Sequence, residues 1–280
     1  VANTITGLIK ILYKNYMLGL DVNTTNTVAS TGDITYSYDN DPTTRWESVG
    51  SDDTTTETLT YYFDNAQSIN RLFAMNMNWK DFNIQYWNGS TYANFTNVYS
   101  VKADSSPASS ILYTANTAAT RYWEFDNVST TRIRAQVLKT FVVDDEKELY
   151  EIYIGKEVGT FTQDMFGKPS KVKINFEAGS KEIKLSNQSV YQLIKGNKIN
   201  INLSMKNMWE SADQSIVETM FDLRECAISL CGADGTQYTK TALRLQDLYN
   251  CVVTGELNSS FTVGRMPSLG FTQKIKLKEV

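Results

Sequence analysis

Tyr36-Ser-Tyr-Asp-Asn-Asp-Pro-Thr-Thr-Arg-Trp46 decides how the first half of this chain is read. Asp39, Asn40, Asp41 and Pro42 are strong turn formers, because Asp and Asn bond their own backbone and Pro fixes φ. Thr43 and Thr44 can bond back into that turn, and Arg45-Trp46 opens an apolar strand. The stretch is thus a tight polar loop pinned beside a large aromatic. Loops held on a rigid scaffold are where binding commonly resides.

Strand signals follow. Thr58-Leu-Thr-Tyr-Tyr-Phe63 has high β-propensity, and Asp64-Asn65 reads as its turn. Phe82-Asn-Ile-Gln-Tyr-Trp87 alternates, and Asn88-Gly89 is a strong hairpin signal. Tyr92–Val101, Arg121–Phe125 and Thr131-Arg-Ile-Arg-Ala-Gln-Val-Leu138 continue the series. Short strands at this spacing without a convincing helix predict an antiparallel sandwich or jelly roll.

The second half repeats the pattern at Lys171–Phe176, Lys181–Leu185 and Asn197–Ser204, then changes period. Ile216, Val217, Met220 and Phe221 recur at helical spacing behind Ser211 or Asp213 as cap, predicting a helix at about 211–225. Cys226–Cys231, Tyr249–Gly255 and Phe271–Val280 read as strands again. The expected division is a lead-in segment at 1–20, a jelly-roll domain at 21–140, a linker or connecting strand at 141–170, and a β-sandwich domain with one packed helix at 171–280. The fold class is all-β.

Composition narrows function. The 280 residues include no His, which removes Ser-His-Asp and Cys-His triads. Cys226, Cys231 and Cys251 are odd in number and lack CxxC spacing, so they read as buried thiols and not as a zinc site or disulfide framework. The net charge of −4 gives no broad attraction to nucleic acid or an anionic membrane. No run is long enough to insert across a bilayer. The first twenty residues carry Lys10 and Lys14 within their apolar run, so no signal peptide is expected. Adjacent acids such as Asp52-Asp53 and Asp144-Asp145 do not face one substrate, and no enzyme is expected.

Four pieces in order carry a resemblance. Asp39–Trp46, Leu59–Asn65, the hairpin Phe82–Tyr92 and Ala119-Thr-Arg-Tyr-Trp-Glu-Phe125 resemble the motifs of the discoidin, or coagulation-factor type-C, family of galactose-binding-like jelly rolls, over about residues 20–140. The resemblance implies a sandwich with Trp46 and Trp123 in its core. Carbohydrate is the ligand class it implies first, with other proteins and lipid head groups as alternatives, and Arg45, Trp79, Trp87, Tyr92 and Arg121 are the residue types available for it. Asp39, Asn40, Asp41 and Thr44 offer the oxygens that Ca²⁺ prefers. The resemblance implies a structural calcium there, with Glu124 as the last ligand.

Residues 171–280, with Tyr249-Asn-Cys-Val-Val-Thr-Gly-Glu-Leu257 and a Lys/Glu-edged final strand, resemble tail-tube and distal-tail domains of tailed-phage virion proteins. That implies a structural virion protein of the tail or baseplate, made in the host cytoplasm. It would assemble with itself in a ring and with other tail proteins, its jelly roll facing host-surface glycan or a neighbouring protein. A free carbohydrate-binding or adhesion protein is the alternative. An accessory module of a glycan-degrading enzyme ranks last.

Overall fold

A computed structural model describes residues 10–17, 33–41, 43–100, 108–161, 171–177, 180–184, 190–194, 198–208, 211–229, 248–254, 259–261 and 271–279. The chain is all-β, with a single α-helix among the described residues. It divides into two compact units. One is built from Tyr13–Glu157; the other takes residues from both sides of it, up to Leu12 and from Val158 onward.

The Tyr13–Glu157 unit contains β2 (Trp46–Glu47), β3 (Glu57–Met75), β4 (Trp79–Trp87), β5 (Tyr92–Asn94), β6 (Tyr99–Ser100), β7 (Ile111–Tyr113), β8 (Arg121–Thr140), β9 (Glu148–Leu149) and β10 (Glu151–Gly155). The main sheet runs β10-β3-β8-β4-β5, with β6 on β8 and β7 on β4, while β2 pairs with β9. All pairs are antiparallel.

The two long strands explain the architecture. Glu57–Tyr62 pairs with Arg132–Val137 and Gln67–Ala74 with Thr130–Arg121, and the register slips between Tyr62 and Gln67. Asp64-Asn65, expected to turn the chain, instead rides inside β3, where the slip leaves both side chains exposed. A bulge takes up polar residues that a flat strand would have to bury on one face.

Alternation then sorts the side chains. Leu59, Tyr61 and Phe63 of β3, Phe82 and Ile84 of β4, and Ile133, Ala135 and Val137 of β8 are buried in one core with Trp46 and Trp123. Thr58 and Tyr62, Asn83, Gln85 and Trp87, and Arg132, Arg134 and Gln136 are left half-buried on the opposite face.

The second unit's sheet includes β1 (Lys10–Tyr13), β11 (Glu157–Thr160), β12 (Lys171–Glu177), β15 (Lys198–Met208), β16 (Glu225–Ser229), β17 (Leu248–Thr254), β18 (Ser259–Phe261) and β19 (Phe271–Glu279). β13 (Ser180–Lys184) and β14 (Val190–Ile194) form a separate pair. β1 lies between β11 and β16, and Ile11 is buried with Phe161, Ile201, Cys226 and Val253. Helix α1 (Ser211–Leu223) buries Ile216, Val217, Met220 and Phe221 in that core. It stops where Arg224 takes φ 61°, a left-handed residue just past the last turn whose N–H still bonds Met220 O at 3.1 Å. Cys226 and Cys251 face each other in register as buried cysteines outside any disulfide, and burial pushes the Cys226 thiol up to about 12. Cys231 lies outside the described residues.

Candidate functional site

The β4–β5 hairpin builds the site. Gly89 takes φ 102°, a backbone region that other residues rarely occupy. Asn88 Oδ1 accepts from Ser90 N, Ser90 Oγ and Thr91 N, each at 3.0 Å. This turn sets Trp87 directly opposite Tyr92 and Gln85 opposite Asn94. On the other side of β4, Gln85 stands opposite Arg134, and Tyr86 opposite Ile133 brings Arg132 beside Trp87. Tyr62 of β3 pairs with Arg132.

Four strands therefore place four planar groups in a row: Tyr62, Arg132, Trp87, Tyr92. The Arg132 guanidinium lies over the Trp87 ring at 4.2 Å and the Tyr62 ring at 5.4 Å. Trp87 and Tyr92 meet edge to face at 5.3 Å. A second row runs alongside. Arg134 lies over the Tyr92 ring at 3.9 Å and donates from both Nε and Nη2 to Gln85 Oε1 at 3.1 and 2.8 Å. Gln85 Nε2 donates in turn to Asn94 Oδ1 at 2.9 Å. Every member except the exposed Asn94 is half-buried. Stacking and hydrogen bonds hold these long side chains in one arrangement before anything binds. No carboxylate accepts from Arg132 or Arg134 among the described residues.

Of the residues expected to bind ligand, Trp87 and Tyr92 meet here. Trp79 does not. It is wholly buried, packed against Phe82 at 5.6 Å. Its spacing from Trp87 would put both on one face of a regular strand, but register shifts around Asp81 turn Trp79 to the core. Arg45 pairs with Glu47 and Glu148 and donates to Tyr150 Oη at 3.0 Å. Arg121, the first residue of β8, donates to Asn116 Oδ1 at 2.8 Å and lies over Tyr113, whereas Arg132 and Arg134 are in the second half of that strand. Sequence reading passed over Tyr62, Arg132, Arg134, Gln85 and Asn94. The signal was present in the outward positions of two alternating strands, 83-85-87 and 132-134-136.

The Asp39–Thr44 turn is held by its own bonds. Asp39 accepts from Asp41 N at 2.9 Å and Thr44 Oγ1 at 2.7 Å, and Asp41 accepts from Thr43 N and Oγ1 at 2.9 and 2.7 Å. Asn40 sits at φ 61° and donates its N–H to Glu151 Oε2 at 3.1 Å. Glu124 is committed elsewhere: it accepts from Tyr122 Oη at 2.7 Å and pairs with Arg71, which also bonds Glu157. No group of three or more Cys, Asp or Glu placed to hold a metal occurs among the described residues. The carboxyl that sequence reading missed is Glu151, whose Oε1 is buried without a partner. Burial, with Asp39 and Asp41 nearby, pushes its pKa up to about 9 against the pull of the Asn40 N–H.

No protein-family model matches the chain, and no curated protein matches it. Solved structures do. A chitosan-binding module 1 derived from a chitosanase/glucanase of Paenibacillus sp. IK-5 is similar at 18% identity and TM-score 0.38, over 51% of this chain and 98% of the module. The module 2 from the same enzyme, solved with chitotriose, is similar at 20% identity and TM-score 0.37, over 50% and 99%. CpGH89CBM32-5 of Clostridium perfringens, solved with GalNAc-β-1,3-galactose, is similar at 11% identity and TM-score 0.36, over 48% and 94%. These likenesses cover about half of the chain, and no residue role is carried over from them.

Proposed function

We propose that the Tyr13–Glu157 unit is a non-catalytic carbohydrate-binding module whose binding surface is the face carrying Tyr62, Trp87 and Tyr92. The observation that supports it most is the preorganised row of rings and guanidinium groups flanked by Gln85 and Asn94. Saccharides present apolar C–H patches and paired hydroxyls. Aromatic rings answer the first, and planar side chains with fixed donors and acceptors answer the second. The tail-protein reading, with its homo-oligomeric ring, stands on the sequence resemblance of residues 171–280 alone.

A glycan array probed with the whole chain, followed by calorimetric titration of the best oligosaccharide, tests this. Trp87→Ala abolishes saturable binding and, at a half-buried site, costs under about 2 kcal/mol of stability. Trp79→Ala costs about 3–5 kcal/mol because it empties a core site. Arg45→Ala leaves affinity unchanged. Saturable binding that survives Trp87→Ala, or no binding to any glycan, overturns the proposal.

A further inference from the structure

The charge on this face goes further than the glycan reading, on which the following step rests. Arg132 and Arg134 give it two positive charges, in a chain whose net charge is −4. Neither forms an ion pair among the described residues. Arg132 is the more telling. Its Nε is buried with no hydrogen-bond partner while its guanidinium lies between the Tyr62 and Trp87 rings. Burying part of a cation against rings without a carboxylate costs solvation that the two ring contacts return only in part. Elsewhere in the unit, Arg45 and Arg71 each meet two carboxylates. Arg132 and Arg134 differ from those two in this. A guanidinium fork held in place and lacking a carboxylate is complementary to a planar anion, which it can meet through two parallel bonds.

We infer that this face takes an acidic saccharide, a carboxylate-bearing glycan of the uronate class, in preference to its neutral counterpart. The sugar carboxylate pairs with Arg132, its ring lies along Trp87 and Tyr92, and its hydroxyls meet Gln85, Asn94 and Arg134. An anionic membrane is a poorer fit. The exposed large apolar side chains, Tyr36, Val49, Tyr99, Leu112, Phe141, Val142 and Val143, all lie outside the row, so none projects from it to enter a bilayer.

The test titrates the whole chain with an oligogalacturonate, with its fully methyl-esterified form, and with phosphatidylserine vesicles. The inference predicts that esterification weakens binding by at least about tenfold and that Arg132→Gln brings acid and ester to equal affinity, lowering the acid form far more than the ester. Arg134→Lys, which keeps the charge, retains the preference. Raising salt from about 50 to about 500 mM weakens the acid form and spares the ester. Equal affinity for acid and ester overturns the inference while the glycan reading stands. Binding to neither overturns the inference, and the glycan reading falls with it only if the glycan array is also empty. Vesicle binding lost in Arg132→Gln, without saccharide binding, replaces the saccharide with a lipid surface. Melting curves of each variant separate lost binding from lost folding.

Discussion

Glu151 shows most clearly how one residue can depend on distant parts of the chain. It belongs to β10, but its carboxyl is buried behind the Asp39–Thr44 turn, with Oε2 on the Asn40 N–H and Oε1 on nothing. Desolvation raises its pKa to about 9, so the folded protein holds a proton that the unfolded chain releases near its ordinary value, about 4.3. The sign follows from linkage. The stability tied to this proton is fully present below the unfolded pKa and is lost as pH rises through the folded one. Glu151→Gln keeps the shape and removes the titration. Measured by thermal melts from pH 5 to pH 9, the variant gains on the wild type with rising pH, by at least about 1–2 kcal/mol at the alkaline end. A difference that stays flat across that range contradicts the buried, protonated carboxyl. Nothing local in Leu149-Tyr-Glu-Ile-Tyr-Ile-Gly155 marks this glutamate, because its environment is made by residues more than a hundred positions away.

At the scale of elements, the β4–β5 hairpin carries the site and was the most legible piece of the sequence. Asn88-Gly89 announced the turn, and the alternation of Phe82–Trp87 announced which side chains point to the core. Asn88 fixes the turn through three accepted bonds. Asn88→Ala is expected to cost about 1 kcal/mol of stability and, by freeing Tyr92 from its place opposite Trp87, to weaken saccharide binding several-fold. Urea melts and calorimetry check the two halves; unchanged affinity contradicts the hairpin's positioning role. Trp79 was not legible because a register shift of β4 against β8 reverses its face, and no residue between Trp79 and Phe82 is a Gly or Pro to announce one. The same limit applies to Asp64-Asn65, whose turn chemistry is absorbed by a slip inside β3. Bulges depend on how two strands pair, so one strand's sequence leaves them open.

At the scale of the whole molecule, the all-β class followed from alternation and turn residues in both halves. The chain's division follows from pairing. β1 joins a sheet with β16, whose partner residues come more than two hundred positions later, and Ile11 packs with that sheet's core. Among the described residues, the buried members of the core that includes Trp46, Trp79 and Trp123 lie between Met17 and Ile154. A fragment of Tyr13–Glu157 is accordingly expected to fold alone with one cooperative melt and to keep the saccharide affinity of the full chain. A fragment with no cooperative transition contradicts a self-sufficient core.

Within the row of Tyr62, Arg132, Trp87 and Tyr92, Trp87 carries its own reporter. Trp46, Trp79 and Trp123 are wholly buried, whereas Trp87 is half-buried on the proposed face. In ¹⁵N-edited NMR of the whole chain, the indole signal missing from Trp87→Ala is the one predicted to move during saccharide titration, while those of the three buried tryptophans stay in place. Saccharide that binds without moving the Trp87 indole contradicts the proposed binding face.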